Sequence, residues 1–189
     1  MRKLRLEEIP RTAPDQVTEQ VRHPISVVVD NVRSIYNVGS IFRTSDAVMV
    51  EHLFLTGYTG TPKHRGLRKT ALGAEKTVRW SHHQKPQEAL RRLREAGYTI
   101  AALEITDQPT ATDAVPMEAF PLALIVGNEV DGVQEPLIEE ADLALELPQF
   151  GSKHSLNVAV AYGIAIYDIV RRYRSLTSSE IPPAPRDLI

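Results

Sequence analysis

The sequence predicts an α/β domain with a mainly parallel sheet and helices on both faces. Short apolar, β-branched runs recur along the chain, and segments with helical spacing separate several of them. The length of 189 residues suits one domain with a substantial core and leaves little room for two of ordinary size.

The strand candidates, in order, are Ile25 to Val29, His52 to Leu55, Thr77 to Trp80, Thr99 to Ile105, Pro121 to Val126 and Leu143 to Leu147. Helical spacing marks Val38 to Val48, Pro86 to Ala96 and Ser155 to Tyr173. Pro86 suits a first helical turn and Gly97 the position just past a helix end, so that helix is punctuated at both termini. Asp107 to Phe120 carries Pro109 and Pro116 without a clean period and is expected to be a connecting loop with one short turn. The stretch up to His23, with Pro10 and Pro14, and the stretch after Thr177, with Pro182, Pro183 and Pro185, are expected to be loosely held. The expected organisation is an extension over 1–24, a catalytic domain over 25–175 and a tail over 176–189.

Cysteine is absent, which excludes disulfides, thiolate metal sites and cysteine nucleophiles. No apolar run approaches the length of a bilayer crossing, and Met1 to Arg5 lead into Glu7 and Glu8 rather than an apolar signal core, so a cytoplasmic protein is expected. His64, His82, His83 and His154 have no recognisable ligand spacing; they are expected on the surface or in loops, and no metal is expected. The net charge of -2 argues against a generally basic coat, yet Lys63, His64, Arg65, Arg68 and Lys69 cluster, as do Arg91, Arg92 and Arg94, and Arg171, Arg172 and Arg174. Taken alone, each cluster reads as a solvated helix face.

In a parallel α/β sheet, ligands collect where strand ends meet helix starts. The loop after the first strand contains Asn37 and Arg43. With Asn37 as helix cap and Arg43 in the second turn, both would reach the same region; the alternative is a plain cap and a surface cation. The loop after the strongest strand reads Gly127-Asn128-Glu129-Val130-Asp131-Gly132, glycines and carboxylates that suit either a ligand-contacting turn or a plain one. The loop before the last helix contains Ser155, expected as its N-cap, and Asn157. Small residues at Ala159, Ala161, Gly163 and Ala165 suit close packing, within the domain or against a partner. Neither GxGxxG nor a phosphate-loop sequence is present, which argues against a dinucleotide dehydrogenase or a P-loop enzyme.

Together these loops resemble the three motifs of the SpoU (TrmH-like) branch of the SPOUT RNA methyltransferases. The likeness spans about Ser26 to Arg171: Asn37 through Arg43, then Gly127-Asn128-Glu129 with Gly132, then Leu147-Pro148 followed by Ser155-Leu156-Asn157. It implies a SPOUT-type fold with a C-terminal trefoil knot, a homodimer, and S-adenosyl-L-methionine held by backbone groups near Leu103, Gly127, Leu147 and Leu156. It further implies that Arg43 acts on a ribose 2′-hydroxyl of tRNA or rRNA, that Asn37, Glu129 and Asn157 position substrate or shape the site, and that Ser155 assists Arg43. In that context Lys63, Arg65, Arg68 and Lys69 become candidate RNA contacts. Arg43 stays protonated, so stabilising an alkoxide or fixing a phosphate suits it better than taking a proton. Rival readings are base methylation on the same fold, an RNA-binding protein without turnover, and a flavodoxin-like nucleotide module.

Overall fold

A computed structural model describes residues 1–9, 16–17 and 20–177. The elements run β1 (His23–Asp30), α1 (Ile35–Ala47), β2 (Val50–Thr56), α2 (Arg65–Ala71), β3 (Trp80–His83), α3 (Pro86–Glu95), β4 (Thr99–Leu103), β5 (Pro109–Ala111), β6 (Leu122–Val126), α4 (Glu135–Glu139), β7 (Leu143–Glu146) and α5 (Val158–Leu176). The described strands form one seven-stranded sheet in the order β3-β2-β1-β6-β4-β7-β5. Every pairing is parallel.

The period of two along each strand divides the core into two layers. Ile25, Val27 and Val29 of β1 join Leu122, Leu124 and Val126 of β6 on one face, against Val38, Ile41 and Phe42 of α1, Leu67 of α2 and Tyr162, Ile166 and Ile169 of α5. Val28, Ala123 and Ile125 face the other way, against Ala89, Leu90 and Leu93 of α3 and Leu137 of α4. Central strands buried on both faces have to be apolar throughout, as β6 is. Because all strands run one way, Val29 is level with Val126, Ala102 with Ile125 and Leu103 with Leu145. The loops after β1, β4, β6 and β7 therefore leave the sheet at one edge, where the site forms.

Several expectations need correction. The third strand is Trp80–His83, not Thr77 to Trp80. Thr77 follows a 3-10 turn, with its hydroxyl donating to the Asp46 carboxylate and lying 3.0 Å from the Ala74 carbonyl. Asp107 to Phe120 is more than a loop, because Pro109–Ala111 adds an edge strand beside β7 and two 3-10 turns follow. His83 is buried on β3 rather than on the surface, its ring stacked near Phe54, while His64, His82 and His154 are exposed. The small residues of α5 do not share one face: Ala165 is buried, whereas a side chain on Gly163 would meet nothing. Helix α3 is punctuated as expected, with Pro86 in its first turn and Gly97 at a φ of 80. The prolines of both ends (Pro10, Pro14, Pro182, Pro183 and Pro185) lie outside the described residues.

Helices α1 and α5 are pinned by one buried polar contact. The Tyr162 hydroxyl lies 2.6 Å from Ser45 Oγ, and Ser45 Oγ donates to the Ile41 carbonyl at 2.8 Å. Since a serine hydroxyl has one proton, Tyr162 is the donor to Ser45. Burial pushes the phenol's pKa far up, against the opposing pull of Ser45. Ser45→Ala strands a buried phenol O–H and is expected to cost about 1–3 kcal/mol, whereas Tyr162→Phe leaves Ser45 its carbonyl and costs about 1 kcal/mol. Urea unfolding checks the order; a Tyr162→Phe loss exceeding that of Ser45→Ala contradicts it.

Candidate active site

The edge where the loops emerge holds a cavity of about 360 Å³, lined by Leu103, Gly127, Leu147, Ser155, Leu156 and Asn157 among others. That volume is within the range of pockets for small-molecule ligands. The turn after β6 is shaped by two glycines. Asn128 and Gly132 exchange backbone hydrogen bonds of 2.9 and 3.0 Å, and a Cβ on Gly127 would fall 2.1 Å from the Gly132 carbonyl oxygen. Gly132 has a φ of 68, a left-handed conformation suited to glycine. Its own missing Cβ leaves room for Glu104 Oε2, which accepts from the Val133 N–H at 2.9 Å.

The turn carries Glu129 to the start of α1. Its carboxylate accepts from the backbone N–H groups of Arg33 at 2.9 Å and Ser34 at 3.0 Å, and from Asn37 Nδ2 at 2.9 Å. Asn37 Oδ1 in turn accepts from Asn157 Nδ2 at 3.2 Å. Asn157 Oδ1 caps α5 by accepting from the N–H groups of Ala159 at 3.0 Å and Val160 at 3.4 Å. One chain of hydrogen bonds thus joins the loop after β1, the loop after β6 and the start of the last helix. Desolvation acts to raise the Glu129 pKa, but the donors outweigh it, led by the Arg33 and Ser34 amides and Asn37, and hold the carboxyl below its ordinary range.

Both expected caps are displaced. Ser34 caps α1, accepting from the Asn37 N–H at 3.3 Å, so Asn37 sits inside the first turn with its side chain free to bridge. Asn157, not Ser155, caps α5, and Ser155 is exposed on the cavity wall. Arg43 falls in the third turn of α1 rather than the second. Six residues of helix rotate it about 120° off Asn37, onto an exposed stripe with Tyr36. Among the described residues, Arg43 makes no ion pair or side-chain hydrogen bond, so the network does not include it.

Lys63, Arg65, Arg68 and Lys69 are exposed around the start and body of α2. Arg68 donates to the carbonyls of Pro62 at 2.8 Å and Lys63 at 3.1 Å, bracing that loop. The other clusters are helix faces with partners: Arg91 pairs with Glu95, Arg94 with Asp142, and Arg171 with Asp168.

Several supports lie outside the motifs' site residues. Asp30 is fully buried and accepts from Thr56 Oγ1 at 2.6 Å and Gln134 Nε2 at 2.6 Å, tying the ends of β1 and β2 to the start of α4. Asn128 Oδ1 accepts from the N–H groups of Val130 and Asp131, while Nδ2 donates to the Asn31 carbonyl and the Tyr58 hydroxyl. A carboxylate at the end of a predicted strand was a visible signal for Glu104. For Tyr58, far from every motif in sequence, none existed.

Residues 24–167 match the SpoU rRNA Methylase family. The tRNA (guanosine(18)-2′-O)-methyltransferase of Aquifex aeolicus is 32% identical over 83% of this chain and 74% of its own length. The 23S rRNA (guanosine-2′-O-)-methyltransferase RlmB of Nitrosomonas europaea is 30% identical over 86% of this chain, which spans only 62% of that relative. Among solved structures, the A. aeolicus TrmH/SpoU tRNA modifying enzyme superposes with a TM-score of 0.75 at 28% identity, covering 92% of this chain and 93% of that one. An AdoMet-bound rRNA methyltransferase from Sinorhizobium meliloti gives 0.73 at 26% identity, over 84% of this chain and 59% of that one.

The depressed Glu129 pKa fixes a direction for pH dependence. The folded state holds its proton more weakly than the unfolded chain, so this contribution to stability is present above the ordinary carboxylate value and is lost as pH falls through the lower folded value. Thermal melts between about pH 5 and pH 3 should fall more steeply for the wild type than for Glu129→Gln. Identical slopes would mean that the carboxylate is not held by these donors.

Proposed function

This chain belongs to the SpoU rRNA methylase family, and on that premise we propose that it transfers a methyl group from S-adenosylmethionine to a ribose 2′-hydroxyl of tRNA or rRNA. The observation that carries the reading is the hydrogen-bonded junction of Asn37, Glu129 and Asn157 beside a cavity of about 360 Å³. The names of the A. aeolicus and N. europaea relatives support the ribose position.

S-adenosylmethionine, when bound, supplies an electrophilic methyl on a sulfonium leaving group. The cavity fits such a molecule: Leu103, Leu147 and Leu156 offer apolar surface, and Gly127 leaves backbone accessible. These four residues are assigned to the cofactor. Glu129, Asn37 and Asn157 hold the loops at fixed separations, which aligns the hydroxyl. Ser155, on the cavity wall, is assigned to assist Arg43.

A guanidinium has a pKa above about 12 and does not take the proton. Arg43 stabilises the developing alkoxide, or fixes the adjacent phosphate, and water receives the proton. Its exposure and lack of side-chain partners among the described residues suit a group kept for RNA. Lys63, Arg65, Arg68 and Lys69 contact phosphates from α2 and the loop that leads into it.

Four further assignments accompany the family reading. A C-terminal trefoil knot is supported by the position of β7, which lies in the sheet between β4 and β5 although it follows both in sequence. A homodimer is supported by an exposed apolar stripe on α5: Val160, Ile164 and Tyr167 are 50%, 44% and 43% exposed. The methyltransferase unit covers 25–175, with 1–24 as an extension and 176–189 as a tail. No helix among the described residues is long and apolar enough to cross a membrane, and work on cellular RNA suits a cytoplasmic location.

Incubation of the purified chain with labelled S-adenosylmethionine and total RNA, followed by nucleoside mass spectrometry, is expected to yield a 2′-O-methylnucleoside; a base-methylated product overturns the reading. Arg43→Ala should lower the saturated rate about a hundredfold or more while cofactor affinity holds. Lys63→Ala, Arg65→Ala and Lys69→Ala should instead weaken RNA binding and flatten its salt dependence, leaving the saturated rate nearly unchanged. Restoration of the Arg43→Ala rate by saturating RNA would move Arg43 to the binding surface.

A further inference from the structure

Glu104 immediately follows β4 and lines the cavity assigned to the cofactor. Its carboxylate is held from two sides: Oε2 accepts from the Val133 N–H at 2.9 Å and Oε1 from the Ile105 N–H at 2.9 Å. Gly132 belongs to the same seat, since a Cβ there would lie 2.1 Å from Oε2. The Glu104 N–H donates to the Leu145 carbonyl of β7 at 3.1 Å, which fixes the backbone as well. The group is therefore oriented before any ligand arrives, and little further ordering is needed when one binds.

Charge balance does not explain a carboxylate in this position. Among the described residues Glu104 forms no ion pair. The cavity wall also carries Glu129, Asp131 and Glu146, and among the described residues it has no lysine or arginine. A carboxylate has about four acceptor positions. Backbone amides take one on each oxygen of Glu104, so one is left on each, side by side. We infer that these two positions receive the vicinal hydroxyls of the cofactor's ribose, one on each oxygen. The inference rests on the reading that the cavity holds S-adenosylmethionine.

That molecule has three kinds of hydrogen-bond donor: the adenine amino group, the ribose diol and the α-ammonium. The adenine amino group is flanked by ring nitrogens that accept, and a second carboxylate oxygen would oppose them. The ammonium is a point charge that a single oxygen serves, and the Asp131 and Glu146 carboxylates, without side-chain partners among the described residues, line the same cavity. The diol alone presents two neighbouring hydroxyl donors in a fixed relation, which suits a two-oxygen acceptor of fixed orientation. Dinucleotide-binding parallel sheets use an acidic side chain on ribose hydroxyls in the same way. The position agrees. β6 separates β4 from β1, so Glu104 lies one strand further than Glu129 from the first loop, clear of the residues assigned to the RNA hydroxyl.

Calorimetry on the full chain tests the pairing, with S-adenosylhomocysteine, the product left by methyl transfer, and its 2′,3′-dideoxy analogue as probes. The wild type should bind the dideoxy analogue about tenfold or more weakly. Glu104→Gln, which keeps an acceptor for the Val133 N–H, should weaken S-adenosylhomocysteine by a similar factor and change the dideoxy analogue little. 5′-Methylthioadenosine keeps the diol and lacks the amino acid, and it should lose affinity in Glu104→Gln as S-adenosylhomocysteine does. A second readout needs no variant. Because the Ile105 and Val133 amides donate to this carboxylate, their proton resonances in the wild type should shift more with S-adenosylhomocysteine than with the dideoxy analogue. Equal losses for the two probes in Glu104→Gln, or equal amide shifts in the wild type, overturn the assignment and leave the methyltransferase reading standing. A loss with S-adenosylhomocysteine but not with 5′-methylthioadenosine overturns it in favour of the ammonium. Failure of the wild type to bind S-adenosylhomocysteine at all overturns the cofactor reading with it.

Discussion

The carboxylate of Glu129 is the joint on which the site depends. It gathers two backbone amides and a side-chain amide from residues 92 to 96 positions away, and through Asn37 it reaches Asn157 as well. Without it the loops after β1 and β6 keep the ties of Asn128 to Asn31 and of Gln134 to Asp30, but the start of α1 loses its anchor to the turn. Glu129 is largely exposed, so its worth to global stability is modest. Its worth to function is positional, because misplacing a reacting group by about 1 Å can cost a hundredfold in rate.

The scaffold makes that joint possible at small cost. A parallel sheet sends every strand end to one edge, and the level registers of β1, β6, β4 and β7 bring four loops within reach of each other. Glycine is needed where backbones almost touch, at Gly127 against Gly132. Below the surface, Asp30 is buried with hydrogen bonds to Thr56 and Gln134, which locks the ends of β1 and β2 to α4. The same economy of few, fully used polar groups appears in Asn128, whose side-chain oxygen and nitrogen each serve two partners.

The strands β1 and β6 were legible because burial on both faces demands unbroken apolar runs. The third strand was misplaced because Val78 is a core residue in a turn, and composition does not separate a buried turn from a buried strand. Helix α2 was hidden by its basic side chains; only Leu67 and Ala71 of its residues are buried. The α5 cap went to Ser155 because Ser155 and Asn157 are both good caps two residues apart, and only geometry decides between them. Asn37, Glu129 and Asn157 were legible as motif residues. Their contact was not, since pairs separated by about ninety residues or more leave no mark on local periodicity. Tyr58 was invisible too, because its partners Asn31 and Asn128 lie 27 and 70 residues away.

Amide hydrogen exchange followed residue by residue measures the joint most directly. In the wild type the Arg33 and Ser34 amides should be protected, and Glu129→Ala should speed their exchange about tenfold or more while Val27 and Leu124 in the sheet stay unchanged. Equal protection of Arg33 and Ser34 in the two proteins would contradict the account, because some other contact would then be holding the loop.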